Sequence, residues 1–322
     1  MSRVKIYALL SSTAAAGCGV LIALGGAVCF MGAAKAIPDW PTTFGGIAPP
    51  SEPGAFVEYL HRAGAVVVGL LALALAATGL LWFRSRPWLL VPPLLALVLL
   101  AVVSTIGALV VLGSVSPVIA AVDLASALMV LALMVTAALT ARFFLRNPDG
   151  TFHLAFRDSF SRLALGSGIA LYVVLFTGLS VGNSAPGNCL GLPLWGGYPL
   201  TAGGEEWLRT AHLLLSGATG VLVVSLVVTA WIKRRTERRE LLLANGAGAL
   251  FVTSLVAGEL AAAGGFPWSL LAIRVCATVL LWVVFTALVV REGLKAAVPE
   301  GERDALFSPT GEKHVSDATH CT

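Results

Sequence analysis

Eight apolar stretches, near residues 8–33, 60–83, 88–113, 118–141, 162–183, 208–232, 241–263 and 269–291, make up most of this chain. A helix needs about 20 mostly apolar residues to cross the hydrocarbon core of a bilayer, and each stretch reaches that length. Inside lipid a spanning segment must satisfy its own backbone groups, so the stretches predict helices and not open strands. Composition agrees: 57% of the 322 residues are hydrophobic and 12% are charged, too apolar for a water-soluble protein of this length. Two pairs of stretches are separated by short turns, SVSPV (114–118) and GGFPW (264–268). Arg3 and Lys5 precede an uncharged run to Ala34. That run exceeds the roughly 7–15 residues of a signal-peptide core and predicts a retained first membrane helix.

Charge sets the expected orientation. With the N-terminus in the cytoplasm, all but four of the 21 lysines and arginines fall on the cytoplasmic side; the exceptions are Lys35, Arg62, Arg209 and Arg274. This satisfies the positive-inside rule and predicts a multi-pass protein of the inner (plasma) membrane. Both termini are then cytoplasmic, and the long loops near 34–59 and 184–207 lie outside. The KRRTERRE run (233–240) reads as a topology determinant facing membrane lipid. Nucleic acid is excluded as a partner, because the basic residues come in short runs between apolar spans. Cys18, Cys29 and Cys276 lie in apolar spans and read as small buried hydrophobes. Cys321 is in the tail and Cys189 stands alone in a loop, so no structural disulfide and no thiolate metal site is expected.

The halves repeat one another: helix, long outer loop, helix, inner loop, helix, tight turn, helix. His61 and His212, Gly107 and Gly258, and Asp123 and Arg274 are each 151 residues apart. WPTTFGG (40–46) faces LPLWGGY (192–198) at an offset of 152. A shared offset with matching topology predicts an internal duplication, an all-α membrane protein of eight transmembrane helices built as two tandem four-helix bundles. The expected units are 1–145, a cytoplasmic linker 146–161, 162–292, and a flexible polar tail 293–322 with no assigned role.

Of five histidines, only His61 and His212 enter apolar segments, at equivalent places near the outer face; His153, His314 and His320 lie in a loop and the tail. Neutral imidazole in a helical bundle suits heme iron. Zinc wants three or four converging ligands, and no Cys/His cluster supplies them. A proton relay through Glu58 or Asp123 is the other functional option. In EYLHR (58–62), Glu58 lies three residues before His61 and shares a helical face with it. It reads as an acid–base group or as an acid favoured at a helix N-terminus. Arg62 reads as a snorkelling cation or a partner for a heme propionate. Glu259, in the seventh span, has no assigned role.

LIALGGAV (21–28), IPDWPTTFGG (37–46) and EYLHR, in this order and spacing, resemble the heme A synthase family over residues 8–291. The resemblance implies oxidation of a methyl group of heme O to the formyl group of heme A, destined for terminal oxidases. Heme O is then the substrate and heme b a cofactor, with heme O synthase and the terminal oxidase as partners; the sequence names no electron acceptor. The family carries two axial histidines per half. By position, His61 and His212 are the ligands of the first and second halves, and Glu58 is the essential acid. The other two ligand positions hold Asp123 and Arg274, and an arginine stays protonated and cannot ligate iron. Arg209 replaces an acid three residues before His212, with Glu205 and Glu206 nearby. Ile37 and Thr43 stand where some members have loop cysteines, and Trp195 stands in place of a mate for Cys189. These departures lead to the expectation that Asp123 and Arg274 pair across the seam between the halves, leaving any heme five-coordinate on His61 or His212. Two further readings stay open: a diverged heme-binding protein acting as electron carrier or oxidase assembly factor, and a transporter whose parallel repeats enclose a polar site.

Overall fold

A computed structural model describes residues 2–113, 116–148, 150, 154–181 and 206–295. Eight helices run through them: α1 Arg3–Phe30, α2 Pro53–Trp82, α3 Pro87–Leu112, α4 Pro117–Arg146, α5 Ser159–Val181, α6 Glu206–Lys233, α7 Arg238–Ala263 and α8 Trp268–Lys295. Each is long and apolar enough to cross a membrane. No strand occurs among the described residues, apart from one isolated bridge between Thr43 and Gly46. The expected fold class, an eight-helix all-α membrane protein, is the one found.

Local chemistry explains where the helices start. Proline leads α2, α3 and α4; its missing N–H costs nothing in a first turn, and its φ suits a helix. The start of α2 lies seven residues before the expected boundary at 60. Glu52 caps it, accepting from the amides of Gly54 (3.0 Å) and Ala55 (2.6 Å). EYLHR therefore occupies the second and third turns of α2, not the mouth of the helix.

Packing closes two cycles of four helices. In one, α1 meets α2 and α4, and α3 meets α2 and α4; in the other, α5 meets α6 and α8, and α7 meets α6 and α8. The cycles join through α1–α8, α4–α5 and α4–α8. At this seam a Cβ on Gly26 would stand 2.8 Å from Val275 Cγ1 on α8, so only glycine allows that approach. Polar groups at the seam are satisfied: Trp282 Nε1 donates to the Leu128 carbonyl (2.8 Å) and the Tyr172 hydroxyl to the Ala125 carbonyl (3.0 Å). Helices α3 and α7 begin 151 residues apart, and so do α4 and α8. The α1–α2 loop lies at one end of the bundle, the loop side, and the start of α1 at the other, the terminal side.

The cysteines depart from expectation. Cys18 is buried, but Cys29 and Cys276 are exposed. Cys29 is disulfide-bonded, which overturns the expected absence of a structural disulfide. Its place in the last turn of α1 lets its thiol leave the apolar span. Cys189 and Cys321 lie outside the described residues. Also outside them are the second long loop with Trp195 and Glu205, His153, and the tail with His314 and His320.

Candidate functional site

Glu58 and Arg62 are engaged with the first long loop. Glu58 is only 3% exposed. Its Oε2 accepts from the Ile37 amide (2.9 Å), and its Oε1 pairs with Arg62. Arg62 Nη1 donates to the carbonyls of Asp39 (2.6 Å) and Thr42 (3.1 Å), and Nη2 to that of Ile37 (3.0 Å). A buried carboxylate is stable only with such partners. The loop is closed on itself by Asp39, which accepts from the amides of Phe44 (2.8 Å) and Gly45 (2.9 Å) and from the Thr42 hydroxyl. These bonds, that from Thr42 first, hold the Asp39 carboxyl down to about 2. Gly45 sits at φ 76°, in the left-handed region that glycine enters freely. Arg62, expected to snorkel or to meet a propionate, thus grips three loop carbonyls and Glu58.

The two histidines each face the first helix of their own half. On α2, the His61 ring lies against Gly25 of α1, where a Cβ would come within 3.1 Å of Cε1. The Leu21 carbonyl approaches this ring, while Nδ1 is buried and completes no hydrogen bond. On α6, His212 is 5% exposed, and its Nδ1 lies 2.9 Å from the Thr177 hydroxyl of α5. Helix α2 packs on α1 and α3, and α6 on α5 and α7, so the histidines belong to separate places in the fold.

Asp123 and Arg274 are not brought together. Helices α4 and α8 do pack, but among the described residues no ion pair joins Asp123 to Arg274. One turn beyond Arg274, the Thr278 hydroxyl meets Ser254 on α7 at 2.7 Å. Residues four apart share a helical face, so Arg274, 2% exposed, lies on the face turned toward its own half. Asp123 is half-buried, and its Oδ1 makes no hydrogen bond.

A second polar cluster, missed in the sequence, lies on the terminal side. Arg234 pairs with Asp158 (2.5 Å), Glu292 (2.8 Å) and Glu237 (3.6 Å), and sits over the Phe160 ring at 5.3 Å. Arg291 pairs with Glu240 at 2.6 Å. KRRTERRE is therefore not only a topology signal: Lys233, Arg235, Arg238 and Arg239 are exposed, while Arg234, Glu237 and Glu240 turn inward. The available signal was the pair of glutamates interrupting a basic run. Burial raises the Asp158 carboxyl, but the Ser161 amide and Arg234 outweigh it and leave the group below its ordinary range. The carboxylates of Glu237, Glu240 and Glu292 converge within 4.8 Å, and Arg234 and Arg291 pair with them, so they form part of an ion-pair network.

The donors fit heme better than a bare ion: one histidine in each half, an uncompleted Nδ1 on His61, and no Cys/His triad among the described residues. Arg274 offers no lone pair, which excludes a bis-histidine-like site there. Fold and site together define a polytopic membrane protein with one histidine placed against the first helix of each half. No protein-family model matches the chain. Over 211 residues it is 26% identical to a heme A synthase from Exiguobacterium sibiricum, an overlap covering 64% of this chain and 69% of that protein.

Proposed function

We propose that this protein binds heme within the membrane and oxidises the methyl group of heme O to the formyl group of heme A. What supports the reading is one histidine in each half, His61 and His212, in a chain similar over most of its length to a heme A synthase. His61 and His212 hold iron porphyrins, one as substrate heme O and one as a heme b cofactor, which supplies the redox chemistry when bound. Glu58, one turn before His61, is the acid of the first half. In the described arrangement its two oxygens hold the Ile37 amide and Arg62, so proton exchange there is coupled to the 37–46 loop. Asp123 lines the first site opposite α2. The two halves arise from an internal duplication, both termini are cytoplasmic, and the membrane is the inner membrane.

A second reading rests on Arg274. A buried arginine where the family has a ligand favours a protein that binds heme without making heme A, as electron carrier or oxidase assembly factor. Purification after co-expression with a heme O source, followed by heme extraction and mass analysis, separates the two. Heme A supports the enzyme, heme b alone supports the binder, and no heme removes both. Loss of Soret absorption in His61→Ala or His212→Ala assigns the sites.

A further inference from the structure

We infer that the segment 40–47 is a membrane anchor: Trp40, Phe44 and Ile47 enter the loop-side leaflet beside α2 and contact phospholipid. The inference rests on the eight apolar spans and not on heme. No charged residue occurs between Asp39 and Glu52. Trp40 is 45% exposed, Phe44 59% and Ile47 88%. Three large apolar side chains so near in sequence and so open mark a contact surface. Lipid at the interface suits them, since aromatic rings collect at the headgroup level.

The way the loop packs argues for lipid as the occupant. With 3.6 residues per turn, Phe56, Leu60, Val67, Leu70 and Leu81 of α2 fall within an arc of about 80°. All five are exposed, so this arc is the face that α2 turns to the bilayer, and it reaches the first turn of the helix. Tyr59 projects between Leu70 and Val66, which are also exposed, and its hydroxyl donates to the Ile47 carbonyl at 3.3 Å. Ile47 is therefore held beside the second turn of α2, against the lipid-facing surface. The rest of the loop is fixed as well. Arg62 holds the carbonyls of Ile37, Asp39 and Thr42, and Asp39 accepts from the amides of Phe44 and Gly45. Phe44 takes φ 52°, a left-handed conformation that glycine or asparagine enters more easily. Either would serve a bare turn; phenylalanine adds an apolar ring on its outside. A loop fixed beforehand has little chain entropy left to lose on insertion. A protein partner would ask for a polar rim to fix its orientation, whereas residues 40–51 bring no charge.

The test uses the full chain in lipid nanodiscs, with fluorotryptophan in place of tryptophan and fluorine NMR as the readout. Trp40→Phe identifies the Trp40 signal, and Ile47→Trp adds a second probe at the most exposed position. Phosphatidylcholine carrying a nitroxide near its headgroup is expected to broaden both signals more than a water-soluble gadolinium chelate does. Broadening mainly by gadolinium places the segment in water and overturns the inference. Signals spared by both agents mean that protein covers the segment, from this chain or a second copy, and overturn it too. If Ile47→Trp does not fold, the Trp40 signal of the parent decides alone.

Discussion

Where α2 ends, Phe83 turns against Tyr7 at 5.3 Å, edge to face, and the Tyr7 hydroxyl donates to the carbonyl of fully buried Leu89. Where α6 ends, 151 residues later, the residue is Arg234, and Leu89 gives way to Glu240. Thr140 and Ala141 of α4 likewise correspond to Arg291 and Glu292 of α8. The first half closes its terminal side with aromatic and apolar contacts, the Tyr7–Leu89 hydrogen bond and arginines stacked on Trp82 and Phe144, the second with a network of two arginines and four carboxylates. The starts of α3 and α7, and of α4 and α8, stay in register despite the change, so the frame of these helices does not depend on which chemistry closes it. The frame comes from long apolar spans, and the closure is a local matter of complementary side chains. The two closures differ in how they fail. An apolar plug loses contacts in proportion to what is removed, whereas a buried ion network tolerates no missing member.

The sharpest way to break this comparison is Arg234→Ala. It strands Asp158 and Glu292 and is expected to cost about 3–5 kcal/mol, read as a lower midpoint of unfolding in detergent; an unchanged midpoint would mean that the network carries no stability. A smaller change of opposite sign tests the same point. Transplanting the first half's residues, Arg234→Phe, Glu240→Leu, Arg291→Thr and Glu292→Ala together, should be neutral or stabilising by about 1–4 kcal/mol. A large loss would show that the two ends are not interchangeable.

The seam and the first site give lesser effects. Gly26→Ala drives a methyl into Val275 and should cost about 1–3 kcal/mol. Gly25→Ala instead crowds the His61 ring; hemin binding to the first half should weaken while the His212 site keeps its Soret band in the same titration. The smallest effect concerns the 37–46 loop. The Asp39 carboxyl lies near 2 when folded, against about 3.9 for a free aspartate. Its contribution is therefore complete above about pH 4 and fades as pH falls toward 2. Hydrogen exchange of peptides spanning 37–46, corrected for intrinsic rate, should rise over that window. Asp39→Asn should raise it already at neutral pH.

Much of this was legible in the residues. Apolar runs of about 20 residues gave all eight helices, because lipid allows such runs little else. The start of α2 was missed because Glu52 and Pro53 fall in a polar stretch, where hydropathy is silent and capping decides. EYLHR was noticed as a constellation, yet its role as a clamp on residues 37–46 needs the loop folded back over α2. The Asp123–Arg274 pair was inferred from matched loss at matched positions; helix rotation turned Arg274 toward its own half instead. A charge count of KRRTERRE cannot tell an exposed arginine from Arg234, clasped by three acids.

By itself, then, the sequence determined the apolar solvent and the eight helices, since both follow from local hydrophobicity along the chain. Tertiary structure alone decided what faces His61 and His212, what Glu58 and Arg62 hold, and which charges of the 233–240 run are buried. Those are matters of rotation and contact between helices distant in sequence, and a periodic apolar pattern in lipid, where nearly every face is apolar, leaves rotation unfixed until the packing sets it.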